Sequence, residues 1–114
     1  MDKRLALLLM FIAPFGATSA LAGVNGFAIV NQTGSTLSGL ALRRVGDSAW
    51  VALGAAPAAG ASAAISFVHP DCAFDIRASV AGGGQSVWRG VNLCEVKSVT
   101  LNRDSSGRTW VDYD

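Results

Sequence analysis

The sequence predicts an all-β protein: a small antiparallel β-sandwich, or a partly open barrel, with one disulfide, after an N-terminal signal peptide. Three observations carry that expectation. Eight short segments with strand-like patterning recur at near-even spacing, separated by turn residues. Two cysteines, an even pair, lie at Cys72 and Cys94. The first 22 residues read as a leader rather than as part of the fold.

The leader has the three parts of an export signal. Lys3 and Arg4 supply a positive start, and Leu5 to Phe15 form an apolar run of h-region length. Small residues then lead to Ala20-Leu21-Ala22, an A-x-A site that places cleavage after Ala22 and the new N-terminus at Gly23. An uncleaved anchor is the rival reading, but the run is short for a bilayer and no second apolar segment of about 20 residues follows. No membrane span is therefore expected in the mature chain. Lys3-Arg4 is not a twin-arginine pair, and no Cys follows the site, so a lipoprotein is not expected either.

Removing residues 1–22 leaves 92 of 114, expected to form a single β-rich domain over 23–114. Basic residues fall from 9 to 7 and acidic ones from 8 to 7, so this part is formally neutral. Neutrality without a basic run gives no general attraction for nucleic acid or anionic lipid. In an exported chain the two cysteines are most simply joined. Closing a loop of that length stabilises the fold by about 3 kcal/mol in the chain-entropy picture, a large share for so small a domain. A redox-active pair is the alternative, but the spacing is nothing like C-x-x-C.

Element by element, the clearest strand is Cys72 to Val80. Cys72, Phe74, Ile76, Ala78 and Val80 share one face, while Ala73, Asp75, Arg77 and Ser79 share the other. That alternation puts Cys72 on the core side and leaves Asp75 and Arg77 as a surface ion pair of little energetic weight. Shorter strands are expected over Gly26–Asn31, Leu37–Val45, Ala49–Leu53, Ala63–Val68, Ser86–Val91, Lys97–Leu101 and Arg108–Tyr113. Gly54 to Ala64 is rich in alanine, a helix former, yet Gly54, Pro57 and Gly60 interrupt it and no amphipathic period appears. It reads as a loop or crossover. Asn102 to Gly107 reads as a hairpin connection with Gly107 in the left-handed position, its tip gathering Arg103, Asp104 and Arg108.

Chemistry-bearing patterns are few. Asn102-x-Asp104-x-Ser106-Gly107 partly matches a calcium loop, but Tyr113 stands where the bidentate Glu belongs and turn chemistry explains the same residues. The lone histidine, in His69-Pro70-Asp71, has neither the companions of a zinc site nor a convincing nucleophile; Ser66 is the nearest hydroxyl. A turn into the next strand accounts for it. Trp50, Trp88 and Trp110 are many tryptophans for 92 residues. Core packing is the ordinary fate of two of them, leaving one to stack on a sugar or anchor a partner. Trp88 draws particular interest, because Val87 and Arg89 fall on the opposite face. Arg89 itself is a recognition residue or, more simply, a cross-strand partner of Asp75.

These residues form a longer pattern. Phe27-x-Ile29-x-Asn31-x-Thr33-Gly34 precedes Leu40, Arg43 and Asp47-x-x-Trp50. Cys72-x-Phe74-Asp75-Ile76-Arg77 then precedes Trp88-x-x-Val91-x-Leu93-Cys94. The chain thereby resembles a group of small exported bacterial proteins of unknown function that share N-x-T-G, C-x-F-D-I-R and W-x-x-V-N-L-C elements. The resemblance spans most of residues 23–114, except the tail from Thr100, and implies a periplasmic or secreted location and a β-rich fold. It implies no activity. A second likeness is to small periplasmic lysozyme inhibitors, which carry S-G-x-x-Y in a loop entering an enzyme cleft. Ser106-Gly107-Arg108-Thr109-Trp110 is similar, with Trp in place of Tyr and without the second motif.

Together these readings lead us to expect a non-enzymatic periplasmic or secreted binding or accessory module, with no cofactor and no metal. Its partner would be a protein or a cell-wall component, with Trp88, Arg89, Arg108 and Trp110 as candidate contacts. The alternative is an inhibitor of an extracellular hydrolase such as lysozyme, using the Asn102–Trp110 hairpin.

Overall fold

The computed structural model describes residues 23–114. The signal peptide expected over 1–22 lies outside the described residues. Eight strands follow in order: β1 (Val24–Gln32), β2 (Leu37–Arg44), β3 (Val51–Gly54), β4 (Ser62–His69), β5 (Ala73–Val80), β6 (Gly84–Asn92), β7 (Ser98–Arg103) and β8 (Thr109–Tyr113). They form two four-stranded sheets, ordered β4-β1-β7-β8 and β3-β2-β5-β6, packed face to face as a sandwich. The alanine-rich stretch is non-helical: residues 55–61 connect β3 to β4.

Alternation does the sorting. Ile29, Val99 and Leu101 from the first sheet meet Leu40, Leu42, Phe74, Ile76 and Trp88 from the second, all at most 1% exposed. Each such side chain contributes about 1.5–3 kcal/mol by leaving water. Asn31 is fully buried among them, and its amide is saturated. Its Nδ2 donates to the carbonyls of Ser35 (2.9 Å) and Pro57 (3.1 Å), while its Oδ1 accepts from Thr33 N (3.1 Å) and Thr33 Oγ1 (2.7 Å). The N-x-T-G element is thus a structural knot tying the β1–β2 turn to the 55–61 connection.

Three expectations are corrected. First, the sandwich is not wholly antiparallel: β1 pairs parallel with β7, Ile29 opposite Val99. No hairpin joins these strands, so no tight turn imposes the antiparallel sense; the chain crosses through the second sheet between them. Second, Cys72 is exposed and precedes β5, because the strand begins at Ala73 and the alternation does not extend beyond it. The Cys72–Cys94 bond does form, clipping the start of β5 to the end of β6, where Ala73 faces Asn92. Third, Asp75 is only 5% exposed although it points away from the core. A bulge explains this: Phe74 faces Val91 and Ile76 faces Trp88, so the two residues Arg89 and Gly90 oppose Asp75 alone. Gly90 takes φ of 63°, and its N–H donates to Asp75 Oδ1 at 3.0 Å. The same extra residue brings Trp88 and Val91 to one face at a spacing of three.

Candidate functional site

The four candidate contacts do not converge. Trp88 is 1% exposed, and its Nε1 donates to Asn102 O at 2.8 Å, bridging β6 to β7 in the other sheet. It is a core residue, which corrects its candidacy. Arg89 stands exposed in the bulge, on the outer face of the β3-β2-β5-β6 sheet, and Asp75 takes Arg43 rather than Arg89 as its partner. Arg108 and Trp110 lie on the hairpin and β8 of the opposite sheet.

The hairpin tip is locked by Asp104. Its Oδ1 accepts from Ser106 Oγ (2.7 Å), Ser106 N and Arg108 N (both 3.0 Å), and its Oδ2 from Arg108 Nε (3.1 Å). Hydrogen bonds from Ser106 first, then from the Arg108 backbone, with the Arg108 charge adding, lower the Asp104 pKa from 3.8 to about 2. Gly107 holds φ of 89°, as a hairpin of this kind requires. Arg103 packs under Gly107 and reaches β6: its Nε donates to Ser86 Oγ at 2.9 Å. With Thr109 Oγ1 donating to Val87 O (2.8 Å), these bonds fasten β6 to the β7–β8 pair.

Trp110 is 45% exposed. Register places it beside Asn102 on β7, which in turn lies beside Gln32 on β1. An indole and two amides thus make one row across three strands of the outer face. In the next row Asp112 faces Thr100, and Thr100 faces Val30. Asn102 Nδ2 donates to Asp112 Oδ2 at 3.0 Å, fixing the amide beside the ring. Around the row the face carries the small residues Ala28, Ala64, Ser62 and Ser98, with the exposed Val68 at the far end of β4. It is a flat platform with one large aromatic and a line of hydrogen-bonding groups.

On the outer face of the second sheet, residues distant in sequence meet. The guanidiniums of Arg43 and Arg77 lie 4.5 and 4.4 Å from the centroid of the Trp50 ring. Arg43 Nε donates to the buried Asp75 carboxylate at 3.1 Å. All four residues are among those that carry the resemblance described above. Their spacing in sequence gave no sign that they would touch, since the strand pairing β2–β5 and the loop before β3 bring them together.

Catalytic geometry is not assembled at these places. His69 stacks on Phe67 (5.9 Å between ring centroids) and its Nδ1 accepts from Asp71 N at 3.0 Å, a turn contact. The cleft beside the disulfide, lined by Leu93, Cys94, Glu95 and Lys97 among others, contains neither a histidine nor a hydroxyl side chain. Among the described residues no group of three or more His, Cys, Asp or Glu is placed to hold a metal ion, and no helix is long and apolar enough to cross a membrane.

Fold and surface together define a small disulfide-clipped β-sandwich with two chemically distinct outer faces. The chain matches no family model and no curated protein. An NMR structure of a protein from Eubacterium rectale is similar in fold, with a TM-score of 0.53 and 15% identity over 80% of this chain and 88% of that one. That likeness concerns architecture alone.

Proposed function

We propose that the chain is a non-enzymatic binding module, periplasmic or secreted, that holds a cell-wall glycan on the outer face of the β4-β1-β7-β8 sheet. The observation that carries this reading is the row Trp110–Asn102–Gln32. An exposed indole offers a flat apolar surface to the C–H face of a sugar ring. Amide and carboxylate groups beside it pair with sugar hydroxyls in both senses, donor and acceptor. Neighbouring strands lie about 4.8 Å apart, so the row spans roughly 10 Å, room for more than one sugar residue. The export-signal pattern, the Cys72–Cys94 bond and the resemblance to small exported proteins support the location.

The test is retention on insoluble cell-wall glycan from the producing organism, with Trp fluorescence as the second readout. The oxidised protein is expected to be retained. Trp110→Ala should weaken retention by about tenfold or more, the usual weight of an aromatic anchor, without lowering the melting temperature. Equal retention of the variant and the parent overturns the reading.

A second reading, inhibition of an extracellular hydrolase such as lysozyme, is favoured by one observation. The Asp104-locked tip presents Arg108 with 78% of its side chain exposed, and a rigid projecting hairpin suits an enzyme cleft. Capture of a stoichiometric hydrolase, with inhibition lost in Arg108→Ala, would move the assignment there.

A further inference from the structure

Residues 23–114 carry equal numbers of acidic and basic groups, yet their distribution is uneven. Arg44 is paired with Asp47 (3.1 Å) and Asp71 (3.2 Å), and Arg108 with Asp104 (3.0 Å). Four basic residues have no ion-pair partner among the described residues: Lys97, Arg103, whose guanidinium is held by Ser86 and Gly83, and two on the outer face of the β3-β2-β5-β6 sheet, Arg77 and Arg89. Three of the seven basic residues stand there on three adjacent strands: Arg43 on β2, Arg77 on β5 and Arg89 on β6. The register-aligned carboxylate among them is Asp75, and it is buried, already accepting from Arg43 Nε and Gly90 N.

Arg43 and Arg77 make an internal comparison possible. Both lie over the same indole at nearly the same distance, a contact made through the cation that leaves guanidinium N–H groups available for hydrogen bonds. Arg43 donates its Nε–H to a carboxylate. Arg77, in the equivalent relation to Trp50, has no ion-pair partner among the described residues; neither has Arg89. Stacking removes much of the rotamer freedom that an arginine would otherwise lose on binding, so the fork of Arg77 is set for a ligand in advance. The pairing that the site itself displays, stacked arginine with carboxylate, names the missing group.

We propose that Arg77, with Arg89 two residues along the neighbouring strand from its partner Val87, binds an external carboxylate, and that its source is an acidic polysaccharide carrying uronic acid residues. Arginines staggered across successive strands, which lie about 4.8 Å apart, suit a polymer that repeats its charge along an extended chain. The choice of a polysaccharide as the source rests on the glycan-binding reading; the carboxylate receptor does not. The site is on the opposite sheet from Trp110, so the two can be tested separately.

Binding of polygalacturonate to the oxidised protein is measured at low salt, alongside its fully methyl-esterified form and linear polyphosphate. Polygalacturonate should bind, with affinity falling as salt rises, and the neutral ester should not. Arg77→Ala and, independently, Arg89→Ala should each weaken binding about tenfold. Arg77→Lys, which keeps the charge but not the fork, should lose most of that affinity too. Since removing Arg77 also removes a stack on Trp50, Arg89→Ala and Arg77→Lys guard against a mere folding defect, and all three should leave the melting temperature within a few degrees of the parent. Trp110→Ala should bind polygalacturonate normally, whatever it does to neutral wall glycan. Failure of polygalacturonate to bind, equal binding by the arginine variants, equal binding of polyphosphate, or loss of binding in Trp110→Ala overturns the proposal.

Discussion

A carboxylate pointing outward from a sheet is normally solvated, and Asp75 escapes that fate through its neighbours. Arg43 reaches across from β2, the Gly90 amide is turned toward it by the bulge, and the Arg43–Trp50–Arg77 stack lies on the same face. Truncating Asp75 leaves a partly buried guanidinium and an amide N–H without their acceptor. Asp75→Ala should therefore cost about 2–4 kcal/mol, read as a lower denaturant midpoint at an unchanged slope. A loss under about 0.5 kcal/mol, the range of an ordinary surface substitution, would mean that the carboxylate is effectively solvated. Single residues were the least legible part of the sequence for the same reason. Alternation says which way a side chain points, and it turned Asp75 outward, while the face of Trp88 stayed open because the bulge at Arg89–Gly90 breaks the period. It does not say what lies above the outer face. Trp50, the residue that makes Asp75 part of a cluster, belongs to a loop whose path no periodicity encodes.

Strands and turns were far more legible, because each is specified by its own residues. The Asn102–Gly107 connection is a case in point: Asp104, Ser106 and Gly107 make a turn that needs nothing from the rest of the chain. Its stability should depend on pH in a defined direction. The folded carboxyl of Asp104 titrates at about 2, below the ordinary value of 3.8. Its contribution is thus complete above the unfolded value and is lost as the pH falls through that window toward 2. Amide exchange at Ser106 and Arg108 should accelerate, relative to core amides, as acid is added over that range. Asp104→Asn, which lacks the charge, should flatten the dependence; an unchanged acid response in that variant would place the titration elsewhere. Two limits were misjudged with a consequence: at β5 the pattern ran one residue past the strand and took in Cys72, and the strand expected over Ala49–Leu53 begins only at Val51, leaving Trp50 in the loop.

At the scale of the molecule, the disulfide and the crossed connection between sheets matter most. Cys72 and Cys94, 22 residues apart, hold the open ends of β5 and β6 together. Replacing both with serine should cost about 3 kcal/mol and lower the melting temperature by roughly 12–24 °C; retention on glycan at a temperature where the variant is still folded should not change, since Trp110 lies in the other sheet. Equal stability with and without the bond would show that the β5–β6 ladder closes this end unaided. Which sheet each strand joins was not legible, because pairing partners far apart in the chain leave no local mark. β1 is the extreme instance. It is followed directly by β2, yet the two lie in different sheets, and its neighbours are β4 and, in parallel, β7. A chain emerging N-terminus first, from a ribosome or a translocation pore, therefore carries its first strand half-matched until residues 98–103 are out. Closure of so long a loop is slow, and for all that time the β7 side of β1 remains an open edge, available to any other strand that reaches it first.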